Sequence, residues 1–192
     1  GVILSDLSLN IPDFRASERT FQLLTQVAGR AGRGSKPGEV LIQTHNPRHH
    51  SLLCAKEHDN ANFRELELER RQNLRMPPFH SLTMIVCSSP REERAESIAR
   101  ALAEKIEMII SNKRHGALSD STGKVKTAEI IKIIGPIEAP MKKLRNRFRW
   151  QLLLKADSVR PLSRLLKQVF ETPTSIRRDE LIQVDVDPHH LL

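Results

Sequence analysis

The first 47 residues carry the apolar pattern of a strand, a helix and a second strand. Gly1–Ser5 and Glu39–Thr44 are short apolar runs, which are typical of parallel strands buried on both faces. Between them, apolar residues recur every three to four positions, which predicts an amphipathic helix over Ser17–Arg33 with Ser17 as its N-cap. Its apolar stripe comprises Phe21, Leu24, Ala28 and Ala31. Strand–helix–strand order predicts the edge of an α/β sheet. Because such an edge needs further strands, we expect this chain to be a piece of a longer protein.

Residues 48–78 are predicted to form a helical connector between two domains. The stretch His49–Arg75 is highly charged, with Phe63, Leu66 and Leu74 spaced for one helix face. This pattern indicates a mainly solvated helix. The pair Pro77–Pro78 ends it, because the residue before a proline avoids the helical conformation.

From residue 79 to the end, the pattern predicts the order β-α-β-β-α-β. This is the ferredoxin-like arrangement of an α+β domain. A long polar loop is expected over Ser111–Thr127, and a second, basic loop before the third strand. The predicted strands are Ser81–Ser88, Ala128–Gly135, Arg149–Ala156 and Leu181–Asp187, and the helices are Arg91–Ile110 and Ser158–Glu171.

Composition excludes several classes of protein. The chain is 39% hydrophobic and 28% charged, as expected of a globular protein, and its net charge of +8 fits either a polyanionic partner or a solvated basic surface. Cys54 and Cys87 are far apart and form no Cys-x-x-Cys pair, so we expect neither a zinc site nor a disulfide. The eight histidines show no metal-ligand spacing. No apolar run approaches the roughly 18 residues of a membrane span. The chain is therefore predicted to be cytoplasmic, with no metal site and no membrane partner.

The predicted helix 17–33 carries candidate nucleotide-binding chemistry near its end. Gln26, Arg30 and Arg33 lie at i, i+4 and i+7 and therefore project from one face. Gly29 and Gly32 remove side chains around that face. One amide and two guanidinium groups around a bare backbone are suited to a triphosphate, because the arginine fork matches phosphate oxygens. Arg30 and Arg33 are candidate catalytic residues, since an arginine on a γ-phosphate stabilises the charge that develops during hydrolysis.

A second candidate site is the basic segment Met141–Gln151, which contains no acidic residue. Phe148 and Trp150 alternate with its arginines, so the aromatic rings and the cations should point to opposite faces of a strand. The rings could be core residues or could stack on exposed bases. The polar residues could contact DNA or an acidic protein tail. They are Lys142, Lys143, Arg145, Asn146, Arg147 and Arg149.

Several motifs point to one family. The spacing Gln-x-x-Gly-Arg-x-Gly-Arg over Gln26–Arg33 resembles the last motif of superfamily 2 helicases. Together with the run Asp13–Arg19 before it, the sequence ELERRQNLRMPPF, the basic segment after Gly135–Pro136 and VDVDP near the end, it resembles the primosomal protein N′ family. Members of that family are bacterial replication-restart DNA helicases. The resemblance covers nearly the whole chain except Ser111–Thr127.

The resemblance implies that the first residues belong to a RecA-like helicase lobe two, and that the full protein is an ATP-dependent 3′-to-5′ helicase. It implies that Gln26, Gly29, Arg30 and Arg33 bind ATP, and that the full-length enzyme uses ATP together with magnesium. It also implies three kinds of partner, namely forked DNA, the acidic tail of single-strand-binding protein and other primosome proteins. The zinc-binding cysteine-rich region of the family is absent from this sequence.

Three alternatives remain open at the level of sequence. The chain could come from another superfamily 2 helicase, could be a stand-alone nucleic-acid-binding module, or could be a docking platform for single-strand-binding protein. The Gly-x-x-x-x-Gly-Lys-Ser/Thr phosphate-binding motif is missing, as is the pattern of a magnesium-binding strand end. We therefore predict that this chain alone does not hydrolyse ATP.

Overall fold

The chain forms two compact units in a computed structural model. The structure describes residues 2, 6–31, 39–117, 130–172, 176–189 and 191, with the side chains of 113–117 excepted. The first unit comprises residues 1–75 with Leu191, and the second comprises residues 76–190 with Leu192.

The first unit is helical in its described part. It contains α1 (Asp6–Leu9), α2 (Ala16–Ala31), α3 (His50–Lys56) and α4 (Asn60–Asn73). Val2 and Ile42 form one parallel bridge, in which the Val2 amide donates to the Leu41 carbonyl oxygen at 2.8 Å. The parallel direction agrees with the sequence pattern. Among the described residues, Ile42 is the member of the predicted strand Glu39–Thr44 that forms a β-bridge. The RecA-like lobe stays a prediction, and residues 1 and 3–5 of its first strand lie outside the described residues.

Helix α2 begins one residue earlier than predicted. Ser17 is inside the helix and is not its N-cap. Instead, Asp13 holds the entry to the helix, because its carboxylate accepts from the Arg15 amide at 2.9 Å and its carbonyl oxygen accepts from the Ala16 amide at 3.0 Å. The preceding short helix α1 was not predicted.

The stretch predicted as one connecting helix is two helices, α3 and α4. The chain turns at His58, whose φ is 52°, and Asp59 then caps α4 by accepting from the Asn62 amide at 3.0 Å. A capping aspartate competes with helix continuation in this way. The helices also pack within the first unit, where the rings of Phe63 and Phe21 stack with centroids 4.0 Å apart. Residues 48–75 thus lie within the first compact unit, which runs to Arg75, and the division into a lobe segment, a connector and a C-terminal domain stays a prediction.

The second unit has the predicted element order, β-α-β-β-α-β. Its four strands form an antiparallel sheet in the order β2-β3-β1-β4, and both helices contribute to one hydrophobic core on the sheet. Ile85, Leu102, Leu152 and Leu165 are at most 1% exposed in this core. The elements are β1 (Ser81–Ser89), α5 (Glu92–Ala117), β2 (Lys132–Leu144), β3 (Arg147–Ala156), α6 (Val159–Glu171) and β4 (Leu181–Val186).

Two predicted loops of this unit are corrected. Helix α5 continues to Ala117, so the loop expected from Ser111 begins later, and residues 118–129 lie outside the described residues. The basic loop expected before Arg149 is a β-hairpin with a two-residue turn. Arg145 and Asn146 have φ values of 49° and 61°, the conformation of a type I′ turn, which matches the twist of the flanking strands.

Candidate functional site

The arginine-motif face of the first unit lies on α2. Gln26, Gly29 and Arg30 are exposed there, and within the described residues the Arg30 guanidinium makes no ion pair or hydrogen bond. A Cβ atom added to Gly29 would meet nothing within 4 Å. The predicted site residues Gly32 and Arg33 lie outside the described residues. The described part of the motif is thus a solvent-exposed polar surface.

The opposite side of α2 fixes how this face is presented. Phe21 and Leu24 are 5% and 2% exposed and pack with residues of α3 and α4. Thr20 is 1% exposed and donates its hydroxyl to the Ala16 carbonyl oxygen at 2.8 Å. Burying this side leaves the side that bears Gln26 and Arg30 toward solvent, as the helical spacing predicts.

An ionic network joins α2 to α4 and α3. The Arg71 guanidinium lies 2.7 Å from the Glu18 carboxylate and 2.9 Å from that of Glu67, and the His50 Nε2 lies 3.2 Å from Glu67. Burial favours the neutral form of Glu67, but its contacts with His50 and Arg71 outweigh burial and lower its pKa. Sequence reasoning missed this network, because Glu18 and Arg71 are far apart in the chain and no local spacing connects them.

His49 is a pH-sensitive cap of α3. Its Nδ1 accepts from the Ser51 amide at 3.3 Å, which requires an unprotonated nitrogen. Burial, together with the positive charges of His50 and Arg70, lowers the pKa of His49 to about 4. The folded chain therefore resists the proton that the unfolded chain takes up near pH 6.5, so the contribution of His49 to stability is fully present above pH 6.5 and is lost as the pH drops toward 4.

We expect His49→Asn to reduce this pH dependence. Asparagine keeps an acceptor at the N-cap but does not titrate, so the wild type should lose about 1 to 2 kcal/mol more than the variant between pH 6.5 and pH 5. Urea unfolding followed by circular dichroism at both pH values measures the difference. Equal pH dependence of the two proteins would show that His49 does not titrate on unfolding.

Two cations of the basic hairpin of the second unit, residues 141–151, have partners inside the unit. The Lys142 ammonium lies 2.7 Å from Glu92 and 3.1 Å from Glu138, and the hydrogen bonds that it donates to both carboxylates raise the pKa of Lys142. The Arg147 guanidinium donates to the carbonyl oxygens of Ser88 and Asp179 at 3.1 and 2.7 Å. These contacts fasten the hairpin to its neighbours, and they occupy two of the predicted DNA-binding side chains.

Three more of the predicted DNA-binding residues lie at the exposed tip of the hairpin. Lys143, Arg145 and Asn146 are exposed, and the Lys143 ammonium lies 4.7 Å from the centroid of the Phe148 ring. Trp150 is half-buried and packs against the hydrophobic core. Arg149 is half-buried on the opposite face of β3 and also makes contacts within the protein.

The remaining sequence candidates concern metals and membranes. Among the described residues, no group of three or more His, Cys, Asp or Glu side chains is arranged to hold a metal ion. Both cysteines are free and buried, and burial raises the pKa of Cys87 to about 12. Across the part of the chain that the structure describes, no helix has the length and apolar character to cross a membrane.

Comparison with known proteins finds one family and several relatives that match this chain. The family described as "Primosomal protein N C-terminal domain" matches residues 72–189. Replication restart protein PriA of Bacillus subtilis is 36% identical over 100% of this chain and 22% of its own length. The protein of the same name from Synechocystis is 38% identical over 98% of this chain and 20% of its own length. The Treponema pallidum protein of that name is 33% identical over 100% of this chain and 26% of its own length. This chain therefore spans about a quarter or less of these relatives.

Proposed function

The chain belongs to the primosomal protein N′ family, and from this premise we propose that it is part of a DNA helicase that restarts replication at stalled forks. Its relatives bear the name replication restart protein, which supports action on forked DNA with primosome proteins. The ATP dependence and the 3′-to-5′ direction come from the family resemblance. The family match favours this assignment over another superfamily 2 helicase.

In this proposal the first unit supplies one wall of the ATP site. Gln26, Arg30 and Arg33 would bind phosphate oxygens, and the open backbone at Gly29 fits the approach of a triphosphate. Arg30 would hold its guanidinium against the γ-phosphate and stabilise the charge that grows there during hydrolysis. Magnesium would neutralise charge on the β- and γ-phosphates, and its ligands would come from residues outside this chain. This chain alone should therefore not hydrolyse ATP.

The second unit would bind the DNA backbone through the tip of the hairpin. The observation that carries this part of the proposal is the division of the hairpin cations into two kinds. Lys142 and Arg147 bind carboxylate or carbonyl oxygens of the unit, whereas the exposed cations Lys143 and Arg145, beside and on the tight turn, form no ion pair or hydrogen bond with a described side chain. Exposed cations at a tight turn suit contacts with phosphates, which position a protein on nucleic acid without reading its sequence.

A charge-removal experiment tests the role of the hairpin tip. We expect Lys143→Ala/Arg145→Ala to weaken binding of a labelled fork DNA by about 10- to 30-fold at physiological salt, because two phosphate contacts are lost. The dependence of log affinity on log salt should become shallower by about two. Fluorescence anisotropy across a salt series measures both quantities.

The matched control is Arg160→Ala/Lys167→Ala, which removes the same charge from exposed positions on α6. If both double variants bind alike, net charge and not the hairpin tip determines affinity, and the proposed DNA contact is wrong. If fork binding is unchanged but binding of an acidic peptide is lost in the tip variant, the hairpin is instead a docking site for an acidic tail, such as that of single-strand-binding protein.

A further inference from the structure

Arg71 of α4 is held between carboxylates from two different helices. Its terminal nitrogen lies 2.7 Å from Glu18 of α2, and its Nε lies 2.9 Å from Glu67 one turn earlier on α4. The Arg71 and Glu67 side chains are only 12% and 8% exposed. Burial opposes the charge on Arg71, but the hydrogen bonds that Arg71 donates to Glu18 and Glu67 outweigh burial and raise the pKa of Arg71. The guanidinium is thus a fully charged link between α4 and α2.

Other contacts keep this link in one geometry. The Cζ atom of Arg71 lies 5.4 Å from the centroid of the Phe14 ring, which precedes α2. Glu67 is in turn held by the His50 ring at 3.2 Å. Beside the link, Phe21 of α2 stacks on Phe63 of α4. Arg71 is therefore fixed on several sides, and it can hold Glu18 at a defined position.

Glu18 and the arginine motif lie on the same rigid helix. Gln26 and Arg30 follow Glu18 by about two to three turns, and they are rotated from it by roughly 80° and 120° around the helix axis. A rotation of α2 by about 20° would move a side chain at its surface by about 2 Å. Misplacement of a reacting group by about 1 Å can reduce a rate by about 100-fold. A small rotation of α2 would consequently be enough to move the Arg30 side chain away from a reacting group and lower the rate.

We propose that Arg71 is a positioning residue for the arginine motif, which acts by fixing the rotation of α2 through its contact with Glu18. The inference rests on the proposed ATP-binding role of Arg30. A positioning role would also explain why charged side chains, and not apolar ones, lie between α2 and α4. A buried ion pair contributes little net stability compared with apolar packing, but it can impose one arrangement of the helices.

The test compares variants of the full-length protein that contains this chain. Arg71→Ala should lower kcat for DNA-dependent ATP hydrolysis by about 10- to 100-fold. The KM for ATP should stay within about twofold, because Arg71 does not contact the nucleotide. Glu18→Gln is a milder variant at the surface end of the link, which retains the shape of the side chain and should also lower kcat. Arg70→Ala is the matched control, because Arg70 is the exposed neighbour on the same helix.

A double-variant cycle separates positioning from general destabilisation. If Arg71 acts through Glu18, Glu18→Ala/Arg71→Ala should lose no more activity than Arg71→Ala alone. Independent, multiplying losses would overturn the inference, as would wild-type kcat in both Arg71→Ala and Glu18→Gln. An Arg30→Ala variant measured in parallel identifies the cause of failure. If Arg30→Ala is inactive while the Arg71 and Glu18 variants are fully active, only the positioning role is wrong. If Arg30→Ala is itself fully active, the ATP-site role of α2 is wrong as well.

Discussion

Arg30→Ala in the full-length protein should lower kcat for DNA-dependent ATP hydrolysis by about 1,000-fold. Arg30 is exposed on α2 beside the open position of Gly29, and no described residue uses its guanidinium. An arginine that meets the γ-phosphate acts mainly in the transition state, where negative charge is redistributed. The loss should therefore appear in kcat much more than in the KM for ATP. Steady-state ATPase kinetics with saturating DNA measure both constants.

Two further variants make the Arg30 result specific. Arg30→Lys keeps the charge but loses the planar fork, so it should recover only a small part of the lost activity. Arg64→Ala removes an exposed arginine of α4 in the same unit and should leave kcat unchanged. Wild-type kinetics in Arg30→Ala would refute the catalytic role, and full activity in Arg30→Lys would show that a point charge suffices.

Gly135→Ala should lower the free energy of unfolding of the second unit by about 3 kcal/mol. Gly135 has a φ of 103°, a conformation that side chains with a Cβ atom rarely adopt. A Cβ atom there would lie 2.7 Å from the Gln151 carbonyl oxygen and 3.1 Å from the Ile137 nitrogen. Both obstacles are backbone atoms of the hairpin strands, so they cannot yield by a change of rotamer.

Urea unfolding followed by Trp150 fluorescence measures this loss, since the only tryptophan packs against the core of the second unit. Gly29→Ala is the matched control, because its added Cβ meets nothing within 4 Å and alanine favours a helix. The control should leave the Trp150 transition unchanged. An unchanged transition in Gly135→Ala would mean that the hairpin accommodates a side chain at Gly135.

The sequence was most informative where one period persists over a long element. Ile98, Leu102 and Ile106 repeat at helical spacing, and they are buried on α5 as that pattern predicts. The basic hairpin was predicted as a loop, because a solvated strand with many cations lacks the apolar alternation of a half-buried strand. The break between α3 and α4 was missed because Asp59, a good N-cap, interrupts a charge pattern that continues on both sides of it.

The candidate sites divide in a similar way. Helical geometry alone places Gln26 and Arg30 on one exposed face, since residues four apart are neighbours on a helix. Sequence alone does not show which cations of the hairpin bind other residues of the protein, because the partners of Lys142 and Arg147 lie on other elements of the second unit. The contact of Arg71 with Glu18 was not predictable for the same reason. Its partner Glu18 is brought near only by the packing of α2 against α3 and α4.

The central claim, that α2 lines the ATP site, is tested most directly by photocrosslinking. The full-length protein would be irradiated with an ATP analogue that carries a photoreactive group on its γ-phosphate, and the labelled peptide would be identified by mass spectrometry. We expect label on the peptide that contains Gln26 and Arg30, and we expect excess ATP to abolish it. Label that ATP displaces only from peptides outside α2 would contradict the claim.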